Sequence, residues 1–531
     1  MRRRLALQAV AVFAVALGTC LPGIGTPEIW SKDEARTALV VKEMLTSSDW
    51  SLPRVPGGAY GRKPPLYHWL TALVARRGLD GATLRLPAAA AAAGTAALTY
   101  LIGAQLATPA VGLVAAAILV ASPSFFEWSR IGRMETLLVF CLTLSLWGLC
   151  RWLVAGGLGN GLLFGLGIGL AVLTKGPPGL LPLAAAGLTL AACRHRPGRL
   201  RDLGLGLVVA VGLPLVWLAP ASLAAPDFAR YAESLGPTVA NELARPSSST
   251  LGAVGGLAIG FFPWTLLLLG TVVVLARSRP WASPLIIVSL GWVAIVLVVF
   301  LVGISPRAVY FLPAYPALAL LAAWGWQTAE GRQRRWLTVP LGVGIATVIA
   351  AGVVAAVRPV ILRFHNDPLQ VPASIGLVAG GVLLVMGVLA FRLERQRRPV
   401  AALIRVAGGV LIALLIFDVG VRTPFYSELY PIRASVKRLE DRIPPGAEVG
   451  YSEANRVTAL AVYLARPLRQ LTPQAIAGRP PSPAPRYVLL PDVEFQAARE
   501  SWSLERVDEF AFHGVRYVLA AVGSGAARSP R

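Results

Sequence analysis

Thirteen stretches of this chain are apolar enough, and long enough as helices, to cross about 30 Å of hydrocarbon. They fall near residues 5–25, 83–105, 108–126, 135–155, 157–174, 177–193, 203–222, 254–276, 283–303, 308–327, 336–357, 373–391 and 401–421. Inside a bilayer each backbone N–H and C=O must find its partner within the protein, so such a chain folds as a bundle of helices. The composition agrees, with 55% apolar and 15% charged residues in 531. The expected fold class is a polytopic α-helical membrane protein with about 13 transmembrane helices and a small C-terminal extracytoplasmic α/β domain.

The net charge of +23 does not indicate nucleic acid. Its basic residues come in short clusters between apolar runs and form no stripe with interleaved aromatics, so no nucleic-acid partner is expected. They read as topology signals. With Arg2, Arg3 and Arg4 in the cytoplasm, the clusters at 194–201, 276–280, 331–335 and 392–398 all fall in inner loops. The start, Met1 to Cys20, has a basic head and an apolar core, and "LGTC" resembles a lipoprotein cleavage box apart from Thr19. An uncleaved first helix is expected, because a dozen spans follow. Cys20, Cys141, Cys150 and Cys193 lie in or beside apolar runs without metal-ligand spacing, so redox chemistry is not indicated.

Under this topology the long loops, 26–82, 124–134 and 223–253, and the tail from about 425 lie outside, and function is expected on that face. The expected division is a transmembrane domain over 1–424 and a soluble α/β domain over 425–531. In the tail, strand-like runs at 448–452, 486–491 and 516–520 alternate with helical stretches at 431–442 and 456–465. The expected location is the bacterial inner membrane, with the active site and the tail domain on its periplasmic side.

Four outer-face motifs carry residues suited to chemistry. The first, "SKDEART" (31–37), holds Asp33 and Glu34. Ser31 and Glu34 form a capping box, which accounts for Glu34 and leaves Asp33 for a substrate on a helix over about 33–45 along the membrane surface. The second signal is lysine, of which the chain has only five beside 45 arginines. Lys63 in "RKPPLYHW" and Lys175 in "LTKGPPG" sit at apolar-segment ends, where a compact ammonium suits a phosphate; snorkelling to the interface is the other reading. The third motif, "EWSRIGRMET" (127–136), brings Arg130, Arg133 and Glu135 before the fourth span, and a solvated loop end explains it equally well. The fourth, "SPRAVYFLPAYP" (305–316), brings Arg307 and Tyr310, which also suit interfacial anchoring.

Together these signals, spread over nearly three hundred residues, land on one face. A carboxylate there deprotonates an acceptor, and cations stabilise a departing phosphate. That pairing suits glycosyl transfer from a lipid-phosphate sugar. A transporter or flippase for an anionic lipid-linked substrate would also want outer-face lysines, but it predicts charges deep inside spans, and this chain shows few. A structural subunit of an envelope complex would leave these charges without work.

The motifs "DEAR" (33–36), "EMLTSSDWSLP" (43–53), "YGRKPP" (60–65), "LTKG" (173–176) and "YFLPAYP" (310–316) also carry a resemblance. Over roughly its first 330 residues the chain resembles the GT-C membrane glycosyltransferases, specifically the aminoarabinose transferase of lipid A and the related protein O-mannosyltransferases. The resemblance implies Asp33 as principal catalytic carboxylate, with Glu34 and Arg36 completing its motif. It also implies Tyr60, Lys63 and Tyr310 on the donor phosphate, and Glu135 as second acidic position. The implied partners are a polyprenyl-phosphate sugar donor, an envelope lipid, glycan or protein acceptor, and membrane lipid. The implied reaction is a single displacement with inversion, which needs no protein nucleophile.

The chain departs from the aminoarabinose enzymes at three places. Glu135 stands where they have aspartate, Arg62 where they usually have glutamate, and the loop 226–246 contains no histidine. A divalent metal is left open. Of four histidines, only His68, beside the lysine motif, is a candidate for substrate contact, with packing at the interface as the commoner role of such a residue; His195 is expected inside, and His365 and His513 have no evident partners.

Overall fold

The computed structural model describes the chain except residues 1, 57, 62, 194–197, 225–227, 230–249, 303–306, 358–359, 365–366, 454–456, 479, 513 and 524–531. Among the described residues ten helices are long and apolar enough to cross a membrane, and the pair Leu251–Gly260 and Trp264–Ser278 adds an eleventh if taken as one broken span. Two shorter apolar helical runs, Pro109–Val120 and Pro177–Ala192, occupy the other expected segments. The protein is a multi-pass helical membrane protein with a small C-terminal sheet domain.

Two expected spans are interrupted, both at proline. The segment over 108–126 stops at Val120 and restarts as a short helix, Pro123–Trp128, with Ser122 at its cap position. The segment over 254–276 bends by 97° between its two helices, and Pro263 stands at the break. A proline has no N–H for the preceding turn and its ring clashes with that turn's carbonyl, so the helix ends or turns there.

Contacts divide the chain into two compact units. The first, Met1–Pro22, Pro87–Pro220 and Gly236–Arg422, contains most of the membrane helices. Its helices approach closely through small residues, as membrane helices do in place of hydrophobic collapse. A Cβ on Gly161 would come within 2.1 Å of the Asp202 carbonyl oxygen, and one on Gly165 within 1.7 Å of that of Gly206. Helices Leu158–Lys175 and Leu200–Ala224 therefore touch backbone to backbone.

The second unit joins Gly23–Leu86 and Ala221–Leu235 to Thr423–Arg531, so the first long loop and the tail form one body. The tail holds a five-stranded sheet in the order Leu468–Leu471, Val449–Ser452, Tyr487–Pro491, Val515–Val522, Leu504–Phe512. The first three strands run parallel and are linked through helices Val457–Tyr463 and Pro473–Ala477; the last two close an antiparallel hairpin. Leu490, Phe495, Trp502 and Val518 form its core.

Helix Lys32–Ser47 packs into this second unit. Ala35, Ala38, Leu39, Val41 and Met44 are buried, and Val41 clusters with Ala72 and Ala75. The amphipathic face expected along the membrane surface is thus covered by protein, because helices Leu66–Val74 and Val457–Tyr463 pack against it. Three polar ties reinforce the packing. Lys42 donates to the carbonyls of Val462 (3.1 Å) and Leu464 (2.8 Å), the Tyr463 hydroxyl accepts from the Ile29 N–H (2.9 Å), and the Gln470 N–H donates to Pro56 (2.6 Å). Trp30 stacks on Tyr426 at 4.1 Å and on Tyr430 at 5.2 Å.

Candidate active site

In the second unit, Asp33 and Glu34 open helix Lys32–Ser47 behind the N-cap Ser31, whose hydroxyl accepts from the Glu34 N–H at 3.3 Å. The adjacent carboxylates have opposite surroundings. Glu34 is 3% exposed and takes a two-pronged grip from Arg85, Nε to Oε1 at 2.8 Å and Nη2 to Oε2 at 3.1 Å. The remaining Arg85 nitrogen donates to the carbonyls of Ile24 (2.9 Å) and Pro27 (2.8 Å), so this pair fixes the loop that leads into the helix. Buried charges persist only when paired and hydrogen-bonded in this way.

The Asp33 side chain is 48% exposed, with Oδ1 accepting from Arg36 at 3.3 Å. Arg36 in turn reaches Glu453 at 2.5 Å, just beyond strand Val449–Ser452. An acidic side chain at the first turn of a helix suits the positive end of the helix dipole.

Tyr60 follows the two-residue strands Arg54–Val55 and Gly58–Ala59, and its N–H donates to the Pro53 carbonyl at 2.8 Å. Its ring meets that of His68 edge-on at 6.1 Å. Lys63 lies in the turn before helix Leu66–Val74, half-buried, in the same unit as Asp33 and Tyr60. His68 is 1% exposed, and burial pulls its imidazole down to about 4, so it is a neutral packing residue near neutral pH. Arg62, His195, His365, His513 and most of the loop 226–246 lie outside the described residues.

In the first unit, four of the expected residues gather around Glu135, the first residue of helix Glu135–Ala155. Its Oε1 accepts from Arg133 at 3.0 Å and from Lys175 at 3.3 Å. Lys175 ends helix Leu158–Lys175; Gly176, at φ 75°, makes the turn that Pro177 follows. The Lys175 ammonium sits 4.9 Å from the centre of the Tyr310 ring, and the Arg307 guanidinium 5.9 Å from that ring. Arg133 lies over Trp128 at 5.0 Å. Three cations, one carboxylate and one phenol thus lie in one partly buried cluster, donor types that suit a phosphate.

Arg130 is placed elsewhere. It is buried, pairs with Asp418 at 2.8 Å, and donates to the carbonyls of Cys20 (2.6 Å) and Pro22. Asp418 also pairs with Arg422. Arg130 therefore ties the end of helix Arg2–Cys20 to the end of helix Pro399–Phe417. Sequence reasoning named neither Arg85 nor Asp418. The available signal was a charged residue inside an apolar span, which calls for a partner. Among the described residues, no group of three or more His, Cys, Asp or Glu side chains is arranged to hold a metal ion.

With the geometry in hand, three comparisons give it context. The dolichyl-phosphate-mannose-protein mannosyltransferase family matches residues 62–219. The undecaprenyl phosphate-alpha-4-amino-4-deoxy-L-arabinose arabinosyl transferase of Aeromonas salmonicida is 29% identical over 314 residues, 56% of this chain and 55% of that protein. The match thus spans about half the length of that relative. The crystal structure of ArnT from Cupriavidus metallidurans in the apo state superposes with a TM-score of 0.77 at 20% identity, over 99% of this chain and 100% of that one. The same protein bound to undecaprenyl phosphate gives 0.74 at 20% identity, over 98% and 99%. The chain shares the fold of that ArnT and is similar in sequence to an aminoarabinosyl transferase and to the mannosyltransferase family model.

Proposed function

We propose that this protein is an integral-membrane glycosyltransferase that moves a sugar from a polyprenyl-phosphate donor to an envelope acceptor, a lipid, glycan or protein. The observation that carries the reading is the run of contacts from Arg133 and Lys175 on Glu135 to Tyr310 and Arg307, cations suited to a phosphate at the ends of membrane helices. The donors named for its relatives support a polyprenyl phosphate as leaving group. The distribution of basic loops supports the periplasmic side of the inner membrane for this chemistry.

In this reading Asp33, open at the head of its helix, takes the proton from the acceptor hydroxyl or amine as that atom bonds to the anomeric carbon. The bond from that carbon to the phosphate oxygen breaks, and its electron pair leaves on the polyprenyl phosphate. Tyr60, Lys63, Arg133, Lys175, Arg307 and Tyr310 are assigned to the donor phosphate. Glu135 orients the two cations it holds. Arg36 fixes Asp33, Glu34 and Arg130 serve the fold, and the tail domain supports the Asp33 helix.

The test uses isolated membranes and radiolabelled polyprenyl-phosphate sugars. Label is expected to pass into a lipid, polysaccharide or protein fraction, and the fraction identifies the acceptor. Asp33→Asn is expected to stop the transfer while the protein remains folded. Undiminished transfer by that variant removes Asp33 from the mechanism, and absence of transfer from every donor by the unaltered protein removes the reading itself.

A further inference from the structure

An apolar groove of about 360 Å³ opens in the first unit, well within the range of roughly 300–1,000 Å³ usual for ligand pockets. Trp326, Leu341, Ile345, Leu383, Val388 and Phe391 line it. Its walls come from helices of membrane-spanning length and composition, Gly331–Val354 and Ala373–Arg395 among them, so the medium that meets it is hydrocarbon. Gly342 and Gly387 also line the groove, and a Cβ on either would meet nothing within 4 Å. Small residues keep the space open there.

One end of the groove is polar. Glu394 lies in the lining and is held by Arg334 through two bonds of 2.5 and 3.0 Å, while the Arg334 guanidinium stacks on Trp326 at 3.9 Å. That carboxylate is therefore neutralised. One residue on, Arg395 lies over the groove-lining Phe391 ring at 5.0 Å and is exposed, as are Arg392, Arg397 and Arg398. Among the described residues none of these four arginines pairs with a carboxylate. A dry slot for a hydrocarbon chain thus ends beside uncompensated guanidiniums, the donors that match phosphate oxygens best.

We propose that this groove binds one anionic phospholipid, with an acyl chain between helices Gly331–Val354 and Ala373–Arg395 and its phosphate diester against Arg395 and its neighbours. The site lies at the end of the bundle that the arginine clusters assign to the cytoplasm, and basic pockets between spans on that side favour anionic headgroups. Its role is independent of the transfer chemistry.

The experiment offers the purified full-length protein phosphatidylglycerol or phosphatidylcholine and counts retained lipid by native mass spectrometry. Phosphatidylglycerol is expected to be retained about fivefold or more over phosphatidylcholine. Arg395→Gln should erase most of that preference without changing phosphatidylcholine retention. Gly387→Leu, whose side chain grows into open space, should lower retention of both lipids. Equal retention of the two lipids by the unaltered protein overturns the proposal, and so does a Gly387→Leu variant that holds phosphatidylglycerol as well as the parent. Melting temperatures without added lipid check that both variants fold.

Discussion

The acidic heads of helices Lys32–Ser47 and Glu135–Ala155 solve one problem in two ways. In the first, two consecutive carboxylates divide the work: Glu34 is sealed against Arg85 and holds the loop, and Asp33 faces solvent. In the second, the single carboxylate of Glu135 gathers two cations at 3.0 and 3.3 Å and is itself largely buried. Beside Arg85 the sealed carboxylate carries the packing, and its neighbour stays half exposed. Where there is only one carboxylate, that residue organises charge, drawing Arg133 and Lys175 together.

The sharpest way to break this contrast is to neutralise the two neighbours separately. Asp33→Asn should reduce sugar transfer by about 10²–10⁴-fold, the usual worth of a general base, with the melting temperature unchanged. Arg85→Ala should instead destabilise the second unit by roughly 3–5 kcal/mol, because it strands a buried Glu34 carboxylate. Thermal unfolding separates the two outcomes; equal loss of stability would mean that Asp33 and Glu34 share one role.

The next effect concerns pH. His68 is held near 4 in the fold against 6.5 for an ordinary imidazole, so the unfolded chain takes up its proton first as the medium is acidified. Stability should decline from about pH 6.5 to about pH 4 and then level, by at most roughly 3 kcal/mol from this group. His68→Gln should flatten that part of the profile, as followed by melting temperature across the range.

Smaller changes sharpen the second head. Lys175→Gln should slow transfer by roughly ten- to a hundredfold with the protein intact, since one charge on the departing phosphate is lost. Titration of transfer rate against donor concentration checks it. Glu453→Gln should have the least effect, a few-fold at most, because partly exposed ion pairs contribute about 1 kcal/mol or less. Its mark should be a change in kcat rather than KM, rescued by Glu453→Asp.

The membrane bundle was legible because the length and polarity of a span are local properties, and each expected segment carries a helix. Pro263 and Pro123 broke two of those helices, and the sequence did contain that signal. The division of labour between Asp33 and Glu34 was half legible. The capping box was visible, yet Arg85, 51 residues away, decides which carboxylate is sealed. Tyr310, Lys175 and Glu135 were named from separate motifs, and the fold brings them together. Arg130 was drawn to the same cluster by sequence proximity, but Asp418, 288 residues on, claims it. The docking of helix Lys32–Ser47 onto the tail was not legible at all, since its ties cross more than 400 residues.

Those ties have a genetic corollary. Lys42 plugs the carbonyl end of a helix near residue 463, so the platform beneath residue 33 is completed only after residue 464 has been made. A premature stop between codons 423 and 462 would leave the membrane bundle's own sequence untouched and still remove both carbonyls that hold Lys42.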